Sequence, residues 1–116
     1  MVDELKSRGI SYILNVADDV PTPPTYNQFY YCRLDVKDGG RDSGISRVFP
    51  YAIKFVDLAG DNGVLIHCKY GTNRSPTIAA VIVQHKLGIP MEQAYQYVAD
   101  RRHIHILKDN MKQLGF

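Results

Sequence analysis

The segment from Val64 to Pro76, VLIHCKYGTNRSP, constrains the fold of this chain more than any other. It opens with a short apolar run, Val64 to Ile66, which is typical of a buried strand. Pro76 suits the first turn of a helix, where proline is tolerated. The amides of a helix N-terminus are unpaired and carry a partial positive charge. The sequence therefore predicts a strand, a tight loop and a helix that together bind an anion.

The polar side chains of this loop suit nucleophilic chemistry on phosphate. Cys68 lies at the base of the loop, where inward-facing amides, the helix end and Arg74 favour thiolate over thiol. Arg74 offers a planar donor that matches two phosphate oxygens, and Gly71 supplies backbone freedom. Ser75 can stabilise the sulfur as a leaving group, and His67 can orient the loop. An inert buried cysteine is the alternative, but these residue types at these offsets favour the catalytic interpretation.

The rest of the chain predicts an α/β fold with a short, mostly parallel central sheet flanked by helices. Loops are expected at 18–28 and 37–44, which are rich in proline or glycine. Pro50 weakens the early turns of a helix at 45–58. With 116 residues, we expect a single domain over 1–116. We expect strands at 12–16, 30–36 and 64–66, the last fully buried, and helices at 2–8, 45–58, 76–87, 91–101 and 109–114.

The composition excludes several classes of protein. Hydrophobic residues make up 45% and charged residues 22%, as in an ordinary soluble domain. No apolar run approaches the ~18 residues that a membrane helix needs. Two cysteines, Cys32 and Cys68, are too few for a disulfide framework and fit a reducing compartment, so we expect a cytoplasmic or nuclear monomer. A net charge of +2 is too weak to indicate nucleic-acid binding, but it suits an anionic small substrate.

The run HCKYGTNRSP resembles the HCxxGxxRS signature of the cysteine-dependent protein tyrosine phosphatases. The surrounding chain resembles the dual-specificity branch, which acts on phosphotyrosine and phosphoserine/threonine. SYILNVA is similar to the strand before that family's first crossover, YYCRLDVKDGGRDSGISRVF to the segment holding the general acid, and RRHIHILKDNMKQL to its final helices. The resemblance implies a phosphatase-like strand, phosphate loop and helix, a phosphorylated protein as substrate, and neither metal nor cofactor.

The resemblance also implies a role for each residue of the loop. Cys68 would form a phosphocysteine intermediate, Arg74 would bind the phosphoryl oxygens, and Ser75 would assist release of the thiolate. His67 would support the loop. Backbone amides would hold the phosphate along Lys69, Tyr70, Gly71, Thr72, Asn73 and Arg74.

Two aspartates compete for the role of general acid. Asp38 aligns with the family's acid, and phosphate ester cleavage requires a proton donor on a loop near the anion site. A turn carboxylate is the alternative for Asp38, because Asp-Gly-Gly is strong turn chemistry. Asp42, farther along the same loop, is the main rival.

Three features depart from the family pattern. Family members usually begin with an additional strand pair, whereas a helix is expected here at residue 2, which leaves a trimmed fold and an excised fragment as alternatives. Asn73 before the arginine is shared with the RNA 5′-triphosphatases of capping enzymes, so RNA 5′-triphosphate stays open as a substrate. Lys69 adds positive charge that suits acidic substrates or phosphoinositides. A non-catalytic phosphate-binding module is the alternative of a different class, which the presence of Cys68 and Arg74 disfavours.

Other polar residues are interpreted structurally. Arg101 and Arg102 could contact a phosphopeptide, but we expect them to be cations at a helix end. His103 and His105 could share one face of a strand, but no third metal ligand is evident. Cys32 is expected to pack in the core.

Overall fold

Helices cover a small parallel sheet. The computed structural model describes residues 2–22, 28–37, 44–69 and 71–116. The strands are β1 (Ile10–Asn15), β2 (Tyr30–Arg33) and β3 (Gly63–His67). The helices are α1 (Val2–Ser7), α2 (Phe49–Ala59), α3 (Arg74–Leu87), α4 (Met91–Arg101) and α5 (Lys108–Gln113), with a 3-10 turn at Ile45–Val48 before α2.

The sheet brings the carboxyl ends of its strands to one edge. Its order is β2-β1-β3, and both pairings are parallel. Leu14 of the central strand is paired with Cys32 on one side and with Ile66 on the other. The segments that follow the three strands therefore leave the sheet side by side, where α/β folds place their sites. The predicted α/β fold with a short parallel sheet is confirmed.

Three details differ from the sequence-based expectations. β3 is half-buried along its length rather than fully buried, because in the described part of the chain it pairs with β1 alone. β2 ends at Arg33, short of the expected residue 36. Pro50 lies in the first turn of α2, where it leaves the helix intact, since the preceding residues form the 3-10 turn instead.

α3 lies between two apolar clusters. One cluster joins the sheet to the start of α3 and includes Leu14, Val36 and Ile78, all with no exposed area. The other joins α3 to α4 and α5 and includes Val81 and Val98. Burial on both sides fixes the position of the N-terminus of α3 relative to the end of β3. In the part of the chain that the structure describes, no helix is long and apolar enough to cross a bilayer.

Candidate active site

Cys68 directly follows β3 and is surrounded by hydrogen-bond donors. The amide nitrogens of Gly71 and Ser75 lie 3.3 Å and 3.4 Å from its sulfur. The hydroxyl oxygen of Ser75 lies 3.3 Å from the same sulfur. Amide donors aimed at one sulfur stabilise negative charge on it, and the Ser75 hydroxyl can donate to that sulfur when it is a thiolate. Ser75 also belongs to the first turn of α3, whose partial positive charge acts in the same direction. The arrangement can hold a thiolate.

The loop between Cys68 and α3 is closed by local hydrogen bonds. Both the amide and the hydroxyl of Thr77 donate to the carbonyl of Asn73, at 3.1 Å and 2.7 Å. Gly71 has a φ of 75°, which a side chain would strain. A Cβ atom there would also lie 3.1 Å from the guanidinium of Arg102. The backbone conformation therefore favours glycine at position 71, whereas the exposed Arg102 side chain could shift slightly to admit a Cβ atom.

Asn73 ties this loop to the C-terminal segment. Its side-chain oxygen accepts hydrogen bonds from the amide of Leu107, at 2.8 Å, and from the side chain of Asn110, at 3.1 Å. The amide of His105 donates to the carbonyl of Thr72 at 2.7 Å. Three contacts therefore support the loop from the side of α5. Asn73 is itself buried, with 6% of its surface exposed.

The side chain of Arg74 is fully buried below the loop. Its Nη1 donates to the carbonyl of Val36 at 2.8 Å. The same nitrogen lies 3.0 Å from the carboxylate of Asp19 and 3.5 Å from that of Asp18. Arg74 therefore joins the segments that follow β1 and β2 to the phosphate loop that follows β3.

Arg47 makes a related connection nearby. Its Nη2 donates to the carbonyl of Asp35 at 2.8 Å, and its Nη1 donates to the carbonyl of Gly44 at 3.1 Å. One guanidinium thus joins the residues on the two sides of the segment 38–43. Arg33 adds a contact on the same side, from its Nε to the carboxylate of Asp35 at 2.8 Å.

The charge states of three groups follow from their surroundings. Burial lowers the pKa of His67 below its usual value, and a hydrogen bond with the Cys68 backbone opposes that shift in part. His67 is therefore neutral at neutral pH. The hydrogen bond with Arg74 lowers the pKa of Asp19. Burial raises the pKa of the Cys32 thiol, which packs against the core as expected.

Cys68 opens onto a cavity of about 230 Å³. The lining residues are Leu65, Ile66, His67, Cys68, Lys69, Gly71, Ser75 and Arg102. Two of them, Lys69 and Arg102, are exposed cations. The mouth of the cavity is therefore positively charged, which favours anionic ligands.

The predicted site residues divide into three groups. His67, Cys68, Lys69, Gly71 and Ser75 meet at the cavity. Thr72, Asn73 and Arg74 contact neighbouring segments of the fold rather than line that cavity. Tyr70, Asp38 and Asp42 lie outside the described residues.

Sequence reasoning missed Asp18 and Asp19. The two aspartates stand in what the sequence shows as an irregular loop, and their contact with Arg74 depends on the order of the strands. Paired carboxylates just after the first strand were a signal that could have been followed. Arg101 does behave as a helix-end cation, since it donates to the carbonyl of Tyr97. Arg102 lies at the C-terminal end of α4, as expected, and its guanidinium also lies against the phosphate loop.

Comparison with known proteins identifies the family. A family model described as the dual specificity phosphatase catalytic domain matches residues 1–115. The chain belongs to this family. This confirms the predicted membership of the dual-specificity branch.

Two curated human relatives support the assignment. Dual specificity protein phosphatase 9 is 35% identical over 104 residues, which cover 87% of this chain and 27% of the relative. Dual specificity protein phosphatase 6 is 38% identical over 100 residues, which cover 84% of this chain and 26% of the relative. The chain thus spans about a quarter of the length of these relatives.

Solved structures share the fold over nearly the whole chain. DUSP15 superposes with a TM-score of 0.84 at 22% identity, covering 97% of this chain and 72% of that one. The human tyrosine phosphatase-like serine/threonine/tyrosine-interacting protein superposes with a TM-score of 0.83 at 26% identity, covering 97% and 79%. This dual-specificity phosphatase domain therefore corresponds to about three quarters of each of these chains.

Proposed function

We propose that this domain hydrolyses phosphomonoesters on phosphotyrosine and phosphoserine/threonine proteins through a phosphocysteine intermediate. The proposal is carried by the convergence of two amides and one hydroxyl on the Cys68 sulfur, each 3.3–3.4 Å away. In the first step the thiolate attacks phosphorus, an S–P bond forms, and the bond to the leaving oxygen breaks as that oxygen takes a proton. In the second step water attacks phosphorus and the S–P bond breaks, which returns the thiolate.

The loop residues divide this work. The amides from Lys69 to Arg74 hold the phosphoryl oxygens, as helix N-termini hold anions. The Arg74 guanidinium stabilises charge on those oxygens in the transition state. Ser75 lies 3.3 Å from the sulfur and stabilises the thiolate as it leaves in the second step. His67 supports the loop at the end of β3.

We assign the general acid to Asp38, with Asp42 as the rival. The contact of the Val36 carbonyl with Arg74 supports this assignment, because the chain reaches the site arginine two residues before Asp38. Asp38→Asn should remove the acidic-to-neutral bell shape of the rate profile, whereas Asp42→Asn should leave it. The reverse result would transfer the role to Asp42.

The activity is tested with the purified protein and an aryl phosphate. We expect phosphate release by the unmodified protein and a loss of at least about 10³-fold in Cys68→Ser, because serine is a far weaker nucleophile than a thiolate. Cys32→Ser is the matched control, since Cys32 packs against the core and is not among the residues that line the cavity at Cys68. Activity retained in Cys68→Ser would contradict the mechanism.

A non-catalytic phosphate-binding module is the competing interpretation. A phosphatase-like interacting protein shares this fold, so the fold alone does not establish catalysis. Phosphotyrosine and phosphothreonine peptides separate the two interpretations. Release of phosphate supports the enzyme, whereas tight binding without release supports the module. RNA 5′-triphosphate and a phosphoinositide belong in the same panel, since both suit the same chemistry.

The charged rim indicates which phosphoproteins are bound best. Lys69 and Arg102 line the cavity beside Cys68, so we expect peptides with acidic flanking residues to have the lower KM. Because exposed charges are screened by salt, that preference should shrink as ionic strength rises. A thiolate nucleophile also requires reducing conditions, so we propose that the protein lies in the cytoplasm or nucleus. We further propose that it is a monomer.

A further inference from the structure

Two consecutive carboxylates contact the arginine of the phosphate loop. Asp19 Oδ1 lies 3.0 Å from Nη1 of Arg74, and Asp18 Oδ1 lies 3.5 Å from the same atom. The arginine side chain has no exposed area, whereas those of Asp19 and Asp18 are 34% and 29% exposed. A buried cation requires compensation by nearby negative charge. These two aspartates and the Val36 carbonyl provide it.

The backbone that carries the aspartates is itself held in place. The amide of Asp18 donates to the Val36 carbonyl at 3.1 Å, and Arg33 Nη2 donates to the Asp18 carbonyl at 2.7 Å. One residue further on, the buried side chain of Asn15 donates to the carbonyl of Val20 at 2.9 Å. The segment is thus fixed on both sides of Asp19. A carboxylate on such a segment restricts the guanidinium that it contacts.

The Asp19 carboxylate is ionised where the enzyme would work. The hydrogen bond with Arg74 lowers its pKa, and the charges of Arg74 and Lys69 act in the same direction. Its negative charge is therefore present at neutral pH. This charge also neutralises part of the positive charge of Arg74.

We propose that Asp19, with weaker support from Asp18, is a positioning residue that aligns the Arg74 guanidinium for phosphoryl transfer. The inference rests on the proposed function and adds a residue to it. An arginine side chain has several rotatable bonds, and its transition-state contacts are effective only when they are preorganised. Asp19 fixes the orientation of the guanidinium through its contact with Nη1 of Arg74. It touches no reacting atom.

The test compares kcat and KM for Asp19→Asn, Asp19→Glu and Asp18→Asn on an aryl phosphate. We expect Asp19→Asn to lower kcat about 10- to 100-fold, the usual cost of misaligning a catalytic group. KM should stay unchanged or fall, since Arg74 is then less neutralised and attracts ground-state phosphate at least as well. Asp19→Glu should restore part of kcat, and Asp18→Asn should have the smaller effect because its contact is longer.

Asp57→Asn is the matched control. Asp57 is also an aspartate in an ion pair with a side chain of α3, but it contacts His85 and Lys86 at the opposite end of the helix. Its replacement should leave kcat and KM unchanged. If Asp19→Asn leaves kcat within about twofold of the parent, or only raises KM, the positioning role is wrong.

A double-mutant cycle then asks whether Asp19 acts through Arg74. In an Arg74→Lys background, we expect Asp19→Asn to change kcat/KM by less than about twofold, because the guanidinium that it aligns is already absent. A full additional loss in the double mutant would assign Asp19 a general structural role and overturn the inference. Thermal unfolding of each variant shows whether lost activity reflects lost folding.

Oxyanion binding separates failure of this inference from failure of the proposed function. Tungstate mimics bound phosphate, and vanadate on the cysteine mimics the transition state. Asp19→Asn should weaken the binding of vanadate about 10- to 100-fold and the binding of tungstate less than about twofold. A parent protein that binds both anions without turnover would refute the proposed function but leave this comparison as the test of Asp19. Equal weakening of both anions, or a parent that binds neither, would overturn the inference.

Discussion

The two ends of α3 carry the same kind of contact in opposite surroundings. At its N-terminus, the fully buried Arg74 lies 3.0 Å from the Asp19 carboxylate. At its C-terminus, Lys86 and His85 lie 3.3 Å and 3.0 Å from the Asp57 carboxylate, and all three side chains are 39–49% exposed. Water and salt screen the second contact, whereas the first has a buried cation that must be compensated.

The N-terminus of α3 forms part of the candidate active site, whereas its C-terminus has only the features that are common at the ends of helices. Basic residues in the last turn suit the helix dipole, and Gly88 ends α3 in a left-handed conformation. The first turn instead buries arginine, serine and threonine side chains, which is costly unless each has a partner. Polar burial at one end of a helix therefore marks the functional end.

The largest effect is expected at the buried end. Arg74→Lys should lower kcat/KM by about 10²- to 10³-fold, because lysine keeps the charge but loses the two-pronged contact with phosphate oxygens. Kinetics on an aryl phosphate measure the loss. Lys86→Arg, a change between the same two residue types at the other end, should leave kcat/KM unchanged. Comparable losses in both variants would erase the distinction between the two ends.

The next effect concerns Asn73, the residue before α3. Asn73→Ala removes the acceptor for Leu107 and Asn110, so we expect unfolding to become easier by about 1–3 kcal/mol, the cost of unsatisfied donors. Chemical denaturation measures it. Asn73→Asp keeps an acceptor oxygen and suits a helix N-terminus, so it should retain stability while its charge raises KM for phosphate esters. A stability loss in Asn73→Asp as large as in Asn73→Ala would contradict this account of the contacts.

A smaller effect is expected from pH. The folded state lowers the pKa of His67, so the unfolded chain binds more protons than the folded one as the pH falls through the usual histidine value of about 6.5. The contribution of His67 to stability is therefore fully present above the usual histidine pKa, and it is lost as the pH falls from there towards the lower pKa of the folded state. Denaturation midpoints between pH 7.5 and 5.5 should fall less steeply in His67→Gln. His103→Gln, at an exposed position, should keep the parent slope.

The smallest effect is expected at the exposed end. Asp57→Asn should change the free energy of unfolding only slightly, and less than any change described above, as for other exposed ion pairs. The difference from the parent should shrink further at high salt. Thermal unfolding at two salt concentrations measures both changes. A large loss of stability that does not depend on salt would show that exposure does not determine how much these ion pairs contribute to stability.

The sequence predicted the fold class and the phosphate loop because both depend on local patterns. Val64 to Ile66, Gly71 and Pro76 each act within a few residues along the chain. The contact of Asp19 with Arg74 joins residues far apart in sequence, and it exists because β1 and β3 are neighbours in the sheet. The half-burial of β3 likewise depends on which strands pair, which periodicity does not encode. Arg102 lies at the end of α4 as predicted, but its contact with the phosphate loop also depends on how distant segments pack, which local sequence does not show.

Arg47 has a consequence for how such a domain tolerates change in length. Its guanidinium joins the carbonyls of Asp35 and Gly44, so this side chain helps to fix the distance between the two residues. We therefore expect insertions or deletions between Val36 and Gly44 to leave in place the Val36 carbonyl that Arg74 uses. An engineer who wishes to graft new sequences beside the phosphate loop should therefore keep Arg47, Val36 and the proposed acid Asp38, and vary the other residues between Asp35 and Gly44.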